Sequence, residues 1–223
     1  MMDEKKYILL LLDGEEPSKE ILDQFVKNAS MVIATDGAAG YAHTHSIPLH
    51  SIIGDMDSLN KSVKKEYEKA GTRMIEESEQ ETNDFEKALR YILSESLDSN
   101  VVILGIHGKR TDHMFANFSV MLRYTDAFDT VIAYDATHAH QFLTEETNWH
   151  SFDCPVGTIV SLTALPQAQG VTTSGLYYPL KNARMVFGER EGLSNIISAD
   201  HATVEITSGA ILISTPNDSI KTH

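Results

Sequence analysis

The chain has 223 residues, 42% of them apolar, enough for a real core in one large domain or two small ones. A formal net charge of −14, with no basic run longer than the pair Lys64-Lys65, argues against a nucleic-acid surface. No apolar run approaches the ~20 residues that span a bilayer, and the lone Cys154 excludes an intramolecular disulfide or a thiolate zinc site. A cytoplasmic location is the expectation, with Cys154 a structural residue.

Residues 6–13 read as a buried strand closed by Asp13-Gly14, and residues 17–27 place Ile21, Leu22, Phe25 and Val26 at helical spacing. A second strand, 31–35, stops at Asp36-Gly37-Ala38-Ala39-Gly40 before a helix over 41–45. Small residues there either admit a phosphate or ribose to the backbone or merely form a tight turn. Strand 51–53 runs into Gly54-Asp55-Met56-Asp57-Ser58. If the chain stays extended, Asp55 and Asp57 point to one side and can share a hard cation such as Mg²⁺; the alternative is a surface turn.

An amphipathic helix over 61–69 and a short strand over 73–75 follow. The acidic stretch 76–81 then leads through Thr82-Asn83-Asp84 into a helix reaching about Leu97. Asp84 is thus either a helix cap or a ligand, with Lys87 on its face. Strand 101–104 opens onto Gly105-Ile106-His107-Gly108-Lys109-Arg110-Thr111-Asp112-His113, ahead of a helix over 114–124 and a strand over 130–134. That loop gathers Lys109, Arg110, Asp112 and His113 at one strand terminus, as an anion site or as a solvated charge cluster.

Alternating strands and helices imply a mostly parallel, Rossmann-like sheet with helices on both faces, over residues 1–139. From residue 140 to 215 only short β-rich runs remain: 141–143, 158–162, 169–173, 183–187, 202–206 and 210–214. These predict an all-β sandwich or partly open barrel, followed by a polar tail over 216–223, with fraying from Ser214. His43-x-His45 and His138-x-His140 read as ordinary surface histidines. No G-x-x-x-x-G-K-[ST], G-x-G-x-x-G or G-x-S-x-G fingerprint is present.

Taken in order, Asp36-Gly37-Ala38-Ala39, Gly54-Asp55-Met56-Asp57-Ser58, Gln80 with Thr82-Asn83-Asp84-Phe85-Glu86-Lys87-Ala88-Leu89, and Gly105-x-x-Gly-x-Arg110-Thr-Asp112-His113 resemble the motifs of the thiamine pyrophosphokinase family. Gly175-Leu176-Tyr177-Tyr178-Pro179-Leu180, Gly188 and Ser194-Asn195 are similar to its thiamine-binding domain. The resemblance implies transfer of a pyrophosphoryl group from ATP to the thiamine hydroxyl, giving thiamine diphosphate and AMP. It also implies a homodimer with its active site in a cleft between domains that draws on both subunits.

Carried over by motif, Asp55, Asp57 and Asp84 would hold Mg²⁺, and Asp36, Gly37, Gly54, Lys87, Arg110 and His113 would border ATP. Asp84, Lys87, Arg110 and Asp112 would serve the chemistry, and Gln80, Asp112, Tyr178, Ser194 and Asn195 would meet thiamine. Three positions depart from the pattern: Lys109 stands where glycine is usual, Glu79 where Asp is, and Tyr178 where Trp often is. A Mg²⁺-dependent phosphohydrolase and a non-catalytic nucleotide or thiamine sensor are the competing readings.

Overall fold

The computed structural model describes residues 7–95, 97 and 100–217. The chain divides into two compact units between Ala136 and Thr137. In the first, strands β1 (Tyr7–Leu11), β2 (Ala29–Thr35), β3 (Ser51–Gly54), β4 (Arg73–Glu76), β5 (Asn100–Leu104) and β6 (Thr130–Tyr134) lie in the order β4-β3-β2-β1-β5-β6. Every pairing among them is parallel. β1 and β5 are buried over four consecutive residues, the continuous apolar run required of a strand covered on both faces.

Helices α1 (Lys19–Asn28), α2 (Ala39–Thr44), α3 (Lys61–Ala70), α4 (Asp84–Ser94) and α5 (Thr111–Tyr124) connect the strands. Ser18 caps α1, accepting the Ile21 amide at 3.4 Å, and Ile21, Leu22 and Phe25 form its buried stripe. α4 buries Phe85, Ala88, Leu89 and Ile92 and packs on β2 and β3. It ends at Ser94, short of the expected Leu97, while α5 begins at Thr111, a turn earlier than the apolar spacing suggests. Strand order reverses beside β1: the chain steps outward through β2, β3 and β4, then returns to β5 on the other side. Such a switch point opens a crevice at the carboxyl ends of the strands.

The second unit contains only strands among its described residues: β7 (His138–Thr144), β8 (Trp149–Phe152), β9 (Ile159–Ser174), β10 (Ala183–Val186), β11 (Gly192–Ile196), β12 (Ala202–Glu205) and β13 (Ser208–Pro216). All their pairings are antiparallel. β9 is the spine, pairing with β10, β11, β12 and β13 over its 16 residues. The sequence suggests two strands there, 158–162 and 169–173. They are one, because the buried face passes from Val160, Leu162, Ala164 and Ala168 to Val171 and Thr173, changing phase at Gly170. Gly170 has φ +66°, and a Cβ on it would lie 2.3 Å from Thr207 Oγ1, so the extra residue that flips the alternation has to be glycine.

β8 and β11 are not foreseen from sequence; both are short, and each buries a single residue, Phe152 and Asn195. Ser214, Thr215 and Pro216, expected to fray, pair with His140, Ala139 and His138 on β7. Of the expected tail, residues 218–223 lie outside the described residues. His140 is not a surface histidine: it is buried, and its Nδ1 shares a hydrogen bond with Ser214 Oγ at 2.9 Å. Cys154 is half-buried against the core built by Leu143, Phe152, Val160, Leu162, Ile211 and Ile213. No helix among the described residues is long and apolar enough to cross a membrane.

Candidate functional site

In the first unit, the segments that follow β1, β2, β3 and β5, together with the first turn of α4, line a cavity of about 440 Å³. Asp13, Asp36, Asp55, Asp84, Lys87, Lys109 and Arg110 supply its charged groups. Gly37, Gln80 and His113 also line it, whereas Gly54, Asp57 and Asp112 are not part of the lining.

Asp36 is the most constrained of the acids. It is 2% exposed, its amide donates to Ile53 O at 2.9 Å, and its Oδ1 accepts the Gly37 amide at 2.6 Å. Its Oδ2 is buried without a hydrogen-bond partner. Burial, and next the negative charge of Asp84, push its carboxyl up to about 6, against the pull of the Gly37 and Ser58 amides. Gly54 makes room for it: φ is +152°, and a Cβ there would sit 2.7 Å from Asp36 Cγ. Gly54→Ala is therefore expected to destabilise the protein by about 2 kcal/mol in urea unfolding; unaltered stability would mean that Asp36 swings aside freely.

Asp84 is not the cap of α4. Asn83 is, its side chain accepting the Glu86 amide at 2.9 Å, which leaves Asp84 to accept from Lys87 Nζ at 3.1 Å. Lys87 is 2% exposed, so its aliphatic stem packs in the core while its ammonium meets the cavity. Asn83 also donates to Asn117, which donates to Ile106 O, tying the start of α4 to α5 and to the loop after β5.

Asp55 and Asp57 are not presented by an extended strand. β3 ends at Gly54 and Met56 is left-handed at φ 65°, so the chain turns. Asp55 Oδ1 accepts the Asp57 amide at 3.0 Å and Oδ2 accepts Gln80 Nε2 at 3.3 Å; these bonds hold the Asp55 carboxyl below its usual range. Asp57 is exposed. Among the described residues, no three of Asp36, Asp55, Asp57 and Asp84 bring oxygens within 4.8 Å of one another.

The loop carrying Gln80 is anchored by Glu79, whose carboxylate accepts the Glu81 and Thr82 amides, the Thr82 hydroxyl and Arg90 Nη2. Foremost the Thr82 hydroxyl, then these other donors, lower its pKa to about 2. After β5, Arg110 grips Asp112 through Nε at 3.1 Å and Nη2 at 2.5 Å; that fork holds the Asp112 carboxyl low and leaves it a weak base. Lys109 Nζ reaches Asp13 Oδ1 at 2.5 Å.

In the second unit, Tyr177 and Tyr178 are exposed, their rings edge-to-face at 4.9 Å. Asn195 is buried, and its amide is already engaged: Oδ1 accepts the Tyr178 amide at 3.0 Å and Nδ2 donates to Tyr178 O at 2.8 Å. It holds Tyr178 in place. Ser194 is exposed and left-handed at φ 55°, its amide donating to Ser161 Oγ.

Sequence reasoning overlooks Asp13, Asn117 and Arg90. Asp13 carries the one usable signal, as an acid at the carboxyl end of the strand where the sheet order reverses; Asn117 and Arg90 reach the site through pairings eight or more residues away and have none.

Residues 22–133 match the family described as thiamin pyrophosphokinase, catalytic domain, and residues 145–211 match thiamin pyrophosphokinase, vitamin B1 binding domain. Thiamine pyrophosphokinase 1 of Arabidopsis thaliana is 32% identical over 69% of this chain and 60% of its own length. Thiamine pyrophosphokinase 2 of Oryza sativa is 29% identical over 90% of this chain and 83% of its own. The crystal structure of yeast thiamin pyrophosphokinase superposes with a TM-score of 0.81 at 17% identity, covering 96% of this chain and 87% of that one, a likeness of fold. With both of its characteristic domains matched in order, the chain belongs to the thiamin pyrophosphokinase family.

Proposed function

We propose that the protein transfers the pyrophosphoryl group of ATP to the hydroxyl of thiamine, giving thiamine diphosphate and AMP. The observation that carries this is the cavity at the carboxyl ends of a parallel sheet, lined by Asp36, Asp55 and Asp84 and by Lys87, whose ammonium donates to Asp84. The activity named for the plant relatives supports it.

The first unit is the ATP- and Mg²⁺-binding domain, a Rossmann-like doubly wound sheet. Right-handed crossovers would put α1, α2 and α3 on one face and α4 and α5 on the other. The second unit is the thiamine-binding domain, of sandwich or partly open barrel form.

A divalent cation fits the residues present. Asp36 Oδ2 is buried with no hydrogen-bond partner, and its carboxyl is held up by burial and then by the charges of Asp84 and Asp55, so Lys87 does not offset the acids around it. The other lining cations, Lys109 and Arg110, are turned onto Asp13 and Asp112. Asp55, Asp57 and Asp84 would hold Mg²⁺, which supplies neutralisation of phosphate charge when bound.

The chain's own groups do the rest. The thiamine hydroxyl oxygen bonds to the β-phosphorus, the bond from that phosphorus to the α–β bridging oxygen breaks, and the hydroxyl proton passes to solvent or a carboxylate as AMP departs. Lys87 is fixed by its burial and faces the migrating charge without reorganising. Arg110 and His113 border the phosphates, with Asp36 and Gly37 beside the nucleotide. Tyr178 offers a flat aromatic face to the cationic thiazolium, and Gln80, Ser194 and Asp112 offer polar partners. Asn195 acts on thiamine by fixing Tyr178. A homodimer and a cytoplasmic location complete the reading.

The test is to incubate the protein with ATP, Mg²⁺ and thiamine and measure AMP against thiamine diphosphate. Equal yields support the transferase. Nucleotide consumed equally well without thiamine would favour a phosphohydrolase, and a ligand-induced thermal shift without product would favour a sensor.

A further inference from the structure

Lys109 is an anomaly in the loop after β5. Its backbone is left-handed at φ 53°, directly after Gly108 at φ 85°, a conformation that costs a side-chain-bearing residue energy and suits glycine or asparagine. Strained residues of this kind cluster at functional sites, and Lys109 lies in the wall of the cavity. That side chain crosses to the loop after β1, where Nζ meets Asp13 Oδ1 at 2.5 Å, linking two cavity walls 96 residues apart in sequence. Both partners are about half exposed, 55% and 50%. An exposed ion pair of this kind is weak and readily exchanged for a partner of higher charge.

Its neighbours are committed differently. Lys87 is buried against Asp84, and Arg110, itself exposed, is oriented by a two-bond fork to Asp112. Lys109 is thus the lining cation with a long flexible stem, a single anionic contact and solvent around it.

We propose that Lys109 is a switching phosphate ligand: Asp13 holds it across the mouth of the cavity, and the polyphosphate tail of the nucleoside triphosphate takes it over on binding. Asp13 is accordingly a competitor that lowers nucleotide affinity. The inference rests on the nucleotide reading of this cavity and adds to it a residue that tunes affinity for polyphosphate.

The two partners make opposite predictions. In titration calorimetry with Mg²⁺ and ATP, Lys109→Gly weakens affinity about fivefold, the size of one exposed charge contact. Lys109→Asn, which also tolerates the left-handed backbone, gives the same loss. Asp13→Asn frees the lysine and tightens ATP binding roughly two- to fivefold. Affinity for AMP, which lacks the tail, moves by less than twofold in all three, and the Lys109→Gly deficit shrinks as salt rises from about 0.05 to 0.3 M. A pair that serves only as a static clasp between loops would weaken ATP binding in both Lys109→Gly and Asp13→Asn, and that result, or no change in either, overturns the proposal. Because the readout is binding, it stands apart from turnover: a wild-type protein that binds ATP but makes no thiamine diphosphate would defeat the transferase reading alone.

Discussion

Asp57→Asn is expected to lower turnover by roughly 10³-fold or more while leaving the unfolding free energy within about 0.5 kcal/mol of wild type. The two halves of that expectation come from different observations. Asp57 is exposed, donates only its backbone amide to the turn through Asp55, and fills no core space, so its carboxylate contributes nothing to folding that an amide of equal size would lose. Its proposed service to the metal needs the charge itself. Initial rates at saturating Mg²⁺ and thiamine, set beside a urea curve, read both. A variant with normal rates would remove Asp57 from the metal set and leave Asp55 and Asp84 to hold the ion.

Asp36→Asn is expected to do the reverse to stability. The carboxyl is raised from its ordinary 3.8 to about 6, so the folded state binds the proton more tightly than the unfolded chain between those values. Stability from this group is present in full below pH ~4 and is lost as pH climbs through ~6, a loss of about 2 to 3 kcal/mol for a shift of that size. An amide has no such loss. The variant should therefore match wild type near pH 4 and exceed it by about 2 kcal/mol at pH 7.5, with turnover falling because the site loses a charge at its centre. Equal stability at both pH values would show that Asp36 is comfortably solvated or paired, and its carboxylate would then give no support to a cation site.

These acids also mark where the sequence is legible and where it is not. Strands such as Leu9–Leu11 and Val101–Leu104 announce themselves because burial on both faces demands unbroken apolar runs. The acids at strand ends follow from the topology, since parallel strands all finish on one side. What cannot be read is how the chain turns there. The left-handed Met56 undoes the simple same-side argument for Asp55 and Asp57, and nothing in Asp-Met-Asp forecasts it. Asn83 takes the cap that Asp84 was equally suited to fill, and its amide nitrogen bonds Asn117, which bonds Ile106 O, partners far along the chain. In the second unit, β9 is hidden because Pro166 and the exposed Gln167 interrupt the apolar run between 158–162 and 169–173, so the two sides read as separate strands, and Gly170 then flips the alternation within the second. Asn195 holds the Tyr178 backbone through both of its amide atoms, a task that its place in the sequence does not announce.

The central claim is that two phosphoryl groups leave ATP together. ATP labelled at the β-phosphorus, incubated with the protein, Mg²⁺ and thiamine, tests it in one measurement. The account predicts label in thiamine diphosphate, with unlabelled AMP as the other product. Label appearing in ADP would mean that the γ-phosphoryl group moves alone, and would contradict it.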